Sequence, residues 1–260
     1  MLKEKCALIT GSTQGLGYAM AERLAAEGCH VVLNGFGDPA EIEAKRRRLE
    51  DSHGVRALHH GADLGVPDEI VDLVEAVERA FGAVDIVINN AVVRHFAPLE
   101  TFKVEEWDRA LAVNLSSAFH VTRLALPGMR RRDFGRIVNI SSVYGLFGTV
   151  NRIDYVTTKT ALIGFTRAMA LEVAGQNITC NAICPGSSPT PAIEQRLADF
   201  MAREGLARDD AIRAFMVSRQ PSGRFVAMEG VAALAAFLCG PAGRDITGAA
   251  IPIDGGWSAS

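Results

Sequence analysis

A tyrosine and a lysine four residues apart, Tyr155 and Lys159, share one face of a helix, because 3.6 residues per turn stacks position i over i+4. Free tyrosine ionises near pH ~10, too high for a base at neutral pH. A fixed ammonium nearby favours the phenolate and pulls that value down. Moving it by ~3 units takes about 4 kcal/mol of differential stabilisation. That exceeds what one lysine readily supplies, and a second positive charge on a bound cofactor would complete it. Ser142, a little upstream in Ser141-Ser142, could donate a hydrogen bond to a substrate oxygen while the tyrosine moves a proton. Alone, the Y-x-x-x-K spacing occurs on many solvated helices, so its weight depends on the elements that hold it.

Composition bounds those elements. The chain has 260 residues, 48% of them hydrophobic, enough for one α/β domain over 1–260 with a sizeable core. Its 27 basic and 30 acidic residues leave a charge of −3, which offers no field for nucleic acid or an acidic membrane. The cysteines at 6, 29, 180, 184 and 239 are scattered and odd in number. Their spacing suits neither a disulfide framework nor a zinc site, so no metal is expected and a reducing cytoplasm is. The start of the chain has no signal-peptide pattern, and no stretch approaches the ~18 apolar residues of a membrane span.

The first half reads as a nucleotide-binding unit. Cys6–Thr10 is a buried-strand run that enters Gly11-Ser12-Thr13-Gln14-Gly15-Leu16-Gly17 and then a helix to about Glu27. Glycines at such a turn let backbone approach a phosphate, and the helix N-terminus presents free N–H groups to it. The spacing is G-x3-G-x-G, not G-x-G-x-x-G. A second strand, His30–Asn34, ends in Asn34 where an acidic residue usually holds the ribose diol of NAD, with Phe36 beyond it. No Arg or Lys stands at Ser12, Thr13 or residues 34–37, which favours NAD over NADP. The run Lys45-Arg46-Arg47-Arg48 reads as a solvated helix face. Strand three, Arg56–His60, leads to Asp63 and Leu64. Asp63 either accepts from an adenine amino group or caps a loop. A helix over Pro67–Phe81 and a strand over Val84–Ile88 follow, then Asn89-Asn90-Ala91. This alternation predicts a parallel sheet with helices on both faces and ligands beyond the strand C-termini.

In the second half, Val104–Arg132 is helical with a break expected at Pro127-Gly128, and Asn114 lies inside it at a cost in helix propensity. Arg136–Ser141 is the fifth strand, Tyr155–Glu172 a helix and Ile178–Ile183 the sixth strand. After Pro185-Gly186-Ser187-Ser188-Pro189-Thr190-Pro191, a charged helical stretch over about 187–225 reads as a substrate lid. Ala249–Ile253 closes the sheet at about seven strands, ahead of Asp254-Gly255-Gly256-Trp257.

Taken together, T-G-x-x-x-G-x-G at Thr10–Gly17, Asp63, Asn89-Asn90-Ala91, Asn114, Ser142, Tyr155, Lys159, Pro185-Gly186 with Thr190, and Asp254-Gly255-Gly256 resemble the short-chain dehydrogenase/reductase family across essentially the whole chain. The resemblance implies a Rossmann-type doubly wound sheet and an NAD-dependent interconversion of a secondary alcohol and a ketone. It implies that Tyr155 is the acid/base, that Ser142 holds the substrate oxygen and that Asn114 anchors a relay water. Lys159 would lower the tyrosine pKa and bind the nicotinamide ribose. The cofactor would meet Gly11, Thr13, Gln14, Gly15, Leu16, Gly17, Asn34, Phe36, Asp63, Leu64, Asn90, Tyr155, Lys159, Pro185, Gly186, Ser188 and Thr190. Ser188 stands where the family usually has an aliphatic residue. A homotetramer built on two long helices is the assembly the resemblance implies.

Within the family, Leu33–Asp38 and Asp254–Ser258 are most similar to bacterial D-3-hydroxybutyrate dehydrogenases, which grip a carboxylate with a Gln, a His and a Lys. The matching positions here are Arg94, Tyr144 and Arg152, with Gln195 retained and Trp257 in the tail. The tryptophan expected after Gly186 is Ser187, and the familiar N-N-A-G ends in Val92. Two arginines suit an anion bound through bidentate forks. The expected substrate is therefore a 3-hydroxybutyrate-like or larger hydroxy acid, with a sugar, sugar acid or hydroxysulfonate as alternatives. Reduction of 3-oxoacyl thioesters and a non-catalytic NAD-binding sensor are the competing readings.

Overall fold

The computed structural model describes residues 2–189, 191–217 and 219–259. Among them the chain alternates β1 (Cys6–Ile9), α1 (Gly15–Ala26), β2 (His30–Asn34), α2 (Pro39–His53), β3 (Ala57–His60), α3 (Pro67–Phe81) and β4 (Ile86–Asn89). It continues with α4 (Val104–Leu111), α5 (Ser117–Arg131), β5 (Gly135–Ile140), α6 (Ile153–Glu172) and β6 (Ile178–Pro185). Helices α7 (Pro191–Glu204), α8 (Arg208–Met216) and α9 (Met228–Cys239) precede β7 (Ala250–Ile253). The seven strands form one sheet in the order β3-β2-β1-β4-β5-β6-β7, and every pair is parallel. Strand order reverses between β1 and β4, so the crevice for a ligand opens beyond Ile9 and Asn89.

Successive side chains of a strand face opposite sides, and the two cores follow that rule. Ala7, Ile9, Ile86 and Ile88 pack with Met20 and Leu24 of α1, Leu49 of α2 and Val231 and Ala235 of α9. Cys6, Leu8 and Val87 pack with Leu73 and Val77 of α3, Val121 and Met129 of α5 and Met169 of α6. Local signals set the ends of the helices. Asp38 caps α2 by accepting from the N–H groups of Ala40 at 2.9 Å and Glu41 at 3.0 Å, and Gly54 and Gly82 end α2 and α3 in the left-handed conformation.

Several expectations need correction. The break in the Val104–Arg132 helix falls at a π-turn, Ala112–Ser116, with Asn114 at its centre, while Pro127 lies inside α5. Ser117 reinforces that turn, its hydroxyl donating to the Val113 carbonyl at 2.6 Å. Strand β4 starts at Ile86 rather than Val84, because Asp85 turns its carboxylate to the Cys6 N–H at 3.0 Å and the Arg132 Nε at 3.2 Å. Strand β6 runs on to Pro185, held by its pairing with Ile253. Helix α6 begins at Ile153, two residues before Tyr155. The charged stretch after β6 is helical as expected, α7 and α8 meeting through Phe200 and Phe215 with ring centroids 5.7 Å apart. Among the described residues no helix is long and apolar enough to cross a membrane.

Candidate active site

The glycine turn between β1 and α1 is closed to a side chain at two positions, Gly11 and Gly17. Gly11 has φ +62°, and a Cβ there would lie 2.8 Å from the Ala91 Cα. A Cβ on Gly17 would collide with the Gly11 carbonyl and come within 2.7 Å of Asn90 Nδ2. Asn90 locks the crevice from the β4 side, its amide donating to the carbonyls of Thr10 and Gly11, both at 2.9 Å. The Thr10 hydroxyl accepts from the N–H groups of Asn90 at 2.9 Å and Ala91 at 3.1 Å. Gln14 precedes α1 without a side-chain hydrogen bond to the helix, leaving first-turn N–H groups for a bound anion. A cradle closed to a Cβ at Gly11 and Gly17, with donors aimed out of a helix end, fits a dinucleotide diphosphate.

Around that cradle three expectations change. Asn34 is buried and turned into the scaffold: its Oδ1 accepts from Gly11 N–H at 3.3 Å and its Nδ2 donates to the carbonyls of His60 and Ala62. The side chain at the end of β2 thus fastens β3 and the glycine turn and does not face the crevice. Asp63 is tied to Arg109 at 2.7 Å and to the Gly65 N–H at 2.8 Å, the loop-capping alternative. The Arg109 guanidinium holds its carboxyl below the usual range. Lys45 is not part of a solvated face, since its Nζ reaches the Thr13 carbonyl at 2.9 Å. Phe36 is exposed, and its carbonyl accepts from the Thr13 hydroxyl at 2.9 Å.

Ser142, Tyr155, Lys159 and Asn114 lie beyond the C-terminal ends of β4 and β5. All four are buried. Lys159 Nζ donates to the Ile140 carbonyl at 2.6 Å and lies 5.7 Å from the Tyr155 ring centroid, so amine and phenol share one side of α6. Burial, with Arg94 as a second cause, pushes the Lys159 ammonium down to about 7. Ser141 fixes the helix at that level, its hydroxyl donating to the Lys159 carbonyl at 2.7 Å. Ser142 Oγ accepts from the Tyr144 N–H at 3.2 Å. Asn114 clamps the loop after β4, taking the Val93 N–H at 2.8 Å and donating to the Val93 carbonyl at 3.0 Å and to Thr158 Oγ1 at 3.3 Å. A π-turn is a recurrent device for aiming one side chain out of helical register, and here it aims Asn114.

The Enoyl-(Acyl carrier protein) reductase family model matches residues 11–258. D-beta-hydroxybutyrate dehydrogenase of Cupriavidus necator is 43% identical over 259 residues, covering 100% of both chains. The chain belongs to the short-chain dehydrogenase/reductase family. D-beta-hydroxybutyrate dehydrogenase of Rhizobium meliloti is 43% identical over 255 residues, 98% of this chain and 99% of that one. Among solved structures, L-sorbose reductase from Gluconobacter frateurii complexed with NADPH and L-sorbose aligns with a TM-score of 0.91 at 31% identity. That alignment covers 98% of this chain and 97% of the reductase. This member of the family is an oxidoreductase that binds a nicotinamide cofactor.

On the substrate side of this dehydrogenase/reductase, Arg94, Arg152 and Tyr144 lie beside Tyr155, and Trp257 lies against Tyr144. The Arg152 guanidinium lies 4.5 Å from the Tyr155 ring centroid and 4.0 Å from that of Phe96, and the Arg94 guanidinium lies 5.5 Å from Tyr155. Tyr144 sits edge-on to Tyr155 at 6.4 Å and to Trp257 at 5.3 Å, with Phe147 completing the apolar wall. Asp254 steadies the tail by accepting from the N–H groups of Gly256 at 3.0 Å and Ser258 at 2.7 Å. Burial pushes the Arg152 guanidinium down, and its Nε is buried without a partner among the described residues. The fifth expected residue is a correction. Gln195 is exposed on α7 and donates to Asp199 one turn along at 3.0 Å, so the amide is spent on its own helix. Thr190 lies outside the described residues.

Three features were not read from the sequence. His95 Nδ1 is 2.9 Å from Asp154 Oδ2, while Oδ1 of the same buried carboxylate accepts the Tyr155 N–H at 2.6 Å. Arg94 is therefore flanked by two anchors, Asn114 on Val93 and Asp154 on His95. Buried Gln220 accepts the Ser187 N–H and donates to the Arg224 carbonyl at 2.7 Å, shaping the turn after Pro185-Gly186. The Ser188 hydroxyl is buried without a partner among the described residues. Only an acidic residue one position before Tyr155 hinted at any of these.

Proposed function

We propose that this enzyme interconverts a secondary alcohol and a ketone on a small anionic substrate, with NAD as its cofactor. Tyr155 exchanges the proton at its phenol oxygen and Ser142 hydrogen-bonds the reacting oxygen. Lys159, in reach of the same ring, favours the phenolate, and Asn114 orders the loop beneath the substrate. The bound nicotinamide supplies hydride acceptance and return.

The observation that carries the substrate class is the pair of guanidiniums, Arg94 and Arg152, at the Tyr155 ring. Arg152 Nε is buried and unpartnered among the described residues. A buried N–H donor is normally paired, and the neighbouring carboxylate of Asp154 already holds His95 and the Tyr155 N–H. A carboxylate or sulfonate on the substrate would supply the missing partner through bidentate bonds. The Cupriavidus and Rhizobium relatives are named for D-beta-hydroxybutyrate, a hydroxy acid of this kind. Ser187, in place of a tryptophan, favours a hydroxy acid of that size or larger. Helices α7 and α8 form the lid, and a homotetramer in a reducing cytoplasm is the working assembly, in keeping with five buried, unpaired cysteines.

Arg152→Ala tests this. We expect kcat/KM for the best acidic substrate to fall by about 10²-fold, the loss of a charge-assisted pair at ~3 kcal/mol, with nucleotide affinity retained. An unchanged kcat/KM would remove the anionic-substrate reading.

A further inference from the structure

We propose that Phe96 is a positioning residue: its ring holds the Arg152 guanidinium against Tyr155, in the place from which it takes the charged end of the substrate. The inference rests on the anionic-substrate reading above and adds to it the residue that keeps the cation in position.

Residues 94–96, in the loop after β4, lie against residues 152–155 at the head of α6 in reverse order. Arg94 meets Tyr155, His95 meets Asp154 and Phe96 meets Arg152. The first two contacts have polar anchors. Asn114 ties the loop at Val93, and the buried Asp154 carboxylate lies 2.9 Å from His95 Nδ1. The third contact has no such anchor. Arg152 does not cap α6 with its side chain, it makes no ion pair among the described residues, and its Nε is buried without a partner among them.

Charge alone does not keep the guanidinium there. Arg94, beside the same Tyr155 ring, repels it. Asp154 attracts it, but one carboxylate oxygen is on His95 and the other on the Tyr155 N–H. A long arginine stem is free to carry its charge out to water instead. What the guanidinium does touch is two rings, with the Phe96 centroid 4.0 Å away and that of Tyr155 at 4.5 Å.

At 4.0 Å from the centroid the contact is with the face of the Phe96 ring, because an edge approach is stopped farther out by the ring hydrogens. A guanidinium laid on a ring face turns its N–H fork sideways, where it is free for a carboxylate or sulfonate. Phe96 is itself 66% exposed, so packing into the core is not what places it. A lysine could not use the ring in the same way, since a compact ammonium has no plane to lay against it.

Phenylglyoxal, which adds to unshielded guanidiniums, reads the contact without a substrate. Peptide mass mapping of the nucleotide-free enzyme should show Arg152 modified about tenfold faster in Phe96→Ala than in the wild type, equivalent to ~1.4 kcal/mol. Phe96→Trp should keep the wild-type rate. Exposed Arg79 on α3 should react equally in all three proteins, showing that the fold is intact. With D-beta-hydroxybutyrate as the probe substrate, Phe96→Ala should raise KM about tenfold with kcat within about twofold. Phe96→Trp should restore KM, and the effect should vanish in an Arg152→Ala background. An Arg152 modification rate that does not respond to Phe96→Ala overturns the proposal. So does a KM rise that persists without Arg152, because Phe96 would then meet the substrate itself. Failure of the substrate reading looks different: Arg152→Ala would leave kcat/KM unchanged while the modification rate still followed residue 96, a result that removes the anion and supports the contact.

Discussion

Lys159→Met should make the nucleotide-free protein more stable at neutral pH while abolishing turnover. The ammonium is fully buried, and burial drives its pKa from 10.5 down to about 7. That drop corresponds to about 5 kcal/mol of folding free energy at 1.36 kcal/mol per unit. The sign follows from the protons bound in each state. Between about pH 7 and 10.5 the unfolded chain binds the proton and the folded chain does not, so stability rises with pH across that window. The penalty of this lysine is therefore complete below about pH 7 and fades toward 10.5.

Methionine fills similar volume without charge, but it leaves the Ile140 carbonyl, now 2.6 Å from Nζ, without its donor, at ~1–3 kcal/mol. The balance is a gain of roughly 2–4 kcal/mol at pH 7, or about 5–10 °C in Tm for a chain of this size. By pH ~9.5 the remaining penalty is on the order of 1 kcal/mol, and the gain should vanish. Denaturant unfolding of both proteins at the two pH values measures this directly, other titrating groups cancelling in the difference. A variant that is less stable at pH 7, or whose difference from wild type does not change with pH, would refute the reasoning. Retention of a lysine that destabilises the fold fits a role in proton transfer.

Other perturbations read different parts of the site. Gly17→Ala places a methyl against the Gly11 carbonyl and Asn90; it should cost ~1–3 kcal/mol of stability and abolish nucleotide binding in a calorimetric titration. Asp154→Asn loosens His95 and so the segment that carries Arg94. It should cost about 1–3 kcal/mol in unfolding experiments and raise KM for an acidic substrate several-fold, with nucleotide affinity unchanged. Unchanged KM would show that Arg94 is held by Asn114 alone.

Most of the scaffold was legible because its signals are local. Buried four-residue runs such as Cys6–Ile9, a proline at the start of α3 and a glycine at its end fix elements within a few residues. The rest depends on partners far apart in the chain. His95 and Asp154 are 59 residues apart and Lys45 and Thr13 are 32 apart, so no spacing rule joins them. Asn34 was expected to face the cofactor because strand ends do; its amide instead satisfies the carbonyls of His60 and Ala62, a need visible only once β3 lies beside β2. The π-turn at Asn114 escaped notice because one residue added to a helical turn leaves the apolar pattern nearly unchanged, whereas Pro127 is a strong breaker in isolation. Gln195 matched by position along the chain, yet position does not determine which face of α7 a side chain occupies.

The proposed reaction requires a secondary alcohol held by its anionic end over Tyr155. The most direct test is kcat/KM at saturating NAD for two secondary alcohols of one carbon skeleton, one ending in a carboxylate and the other in the neutral amide. We expect the carboxylate to be preferred by about 10²-fold, from ~3 kcal/mol of charge-assisted bonding, and the preference to collapse in the Arg94→Ala/Arg152→Ala double variant. Equal turnover of acid and amide by the wild-type enzyme, or a preference that survives the double variant, would contradict it.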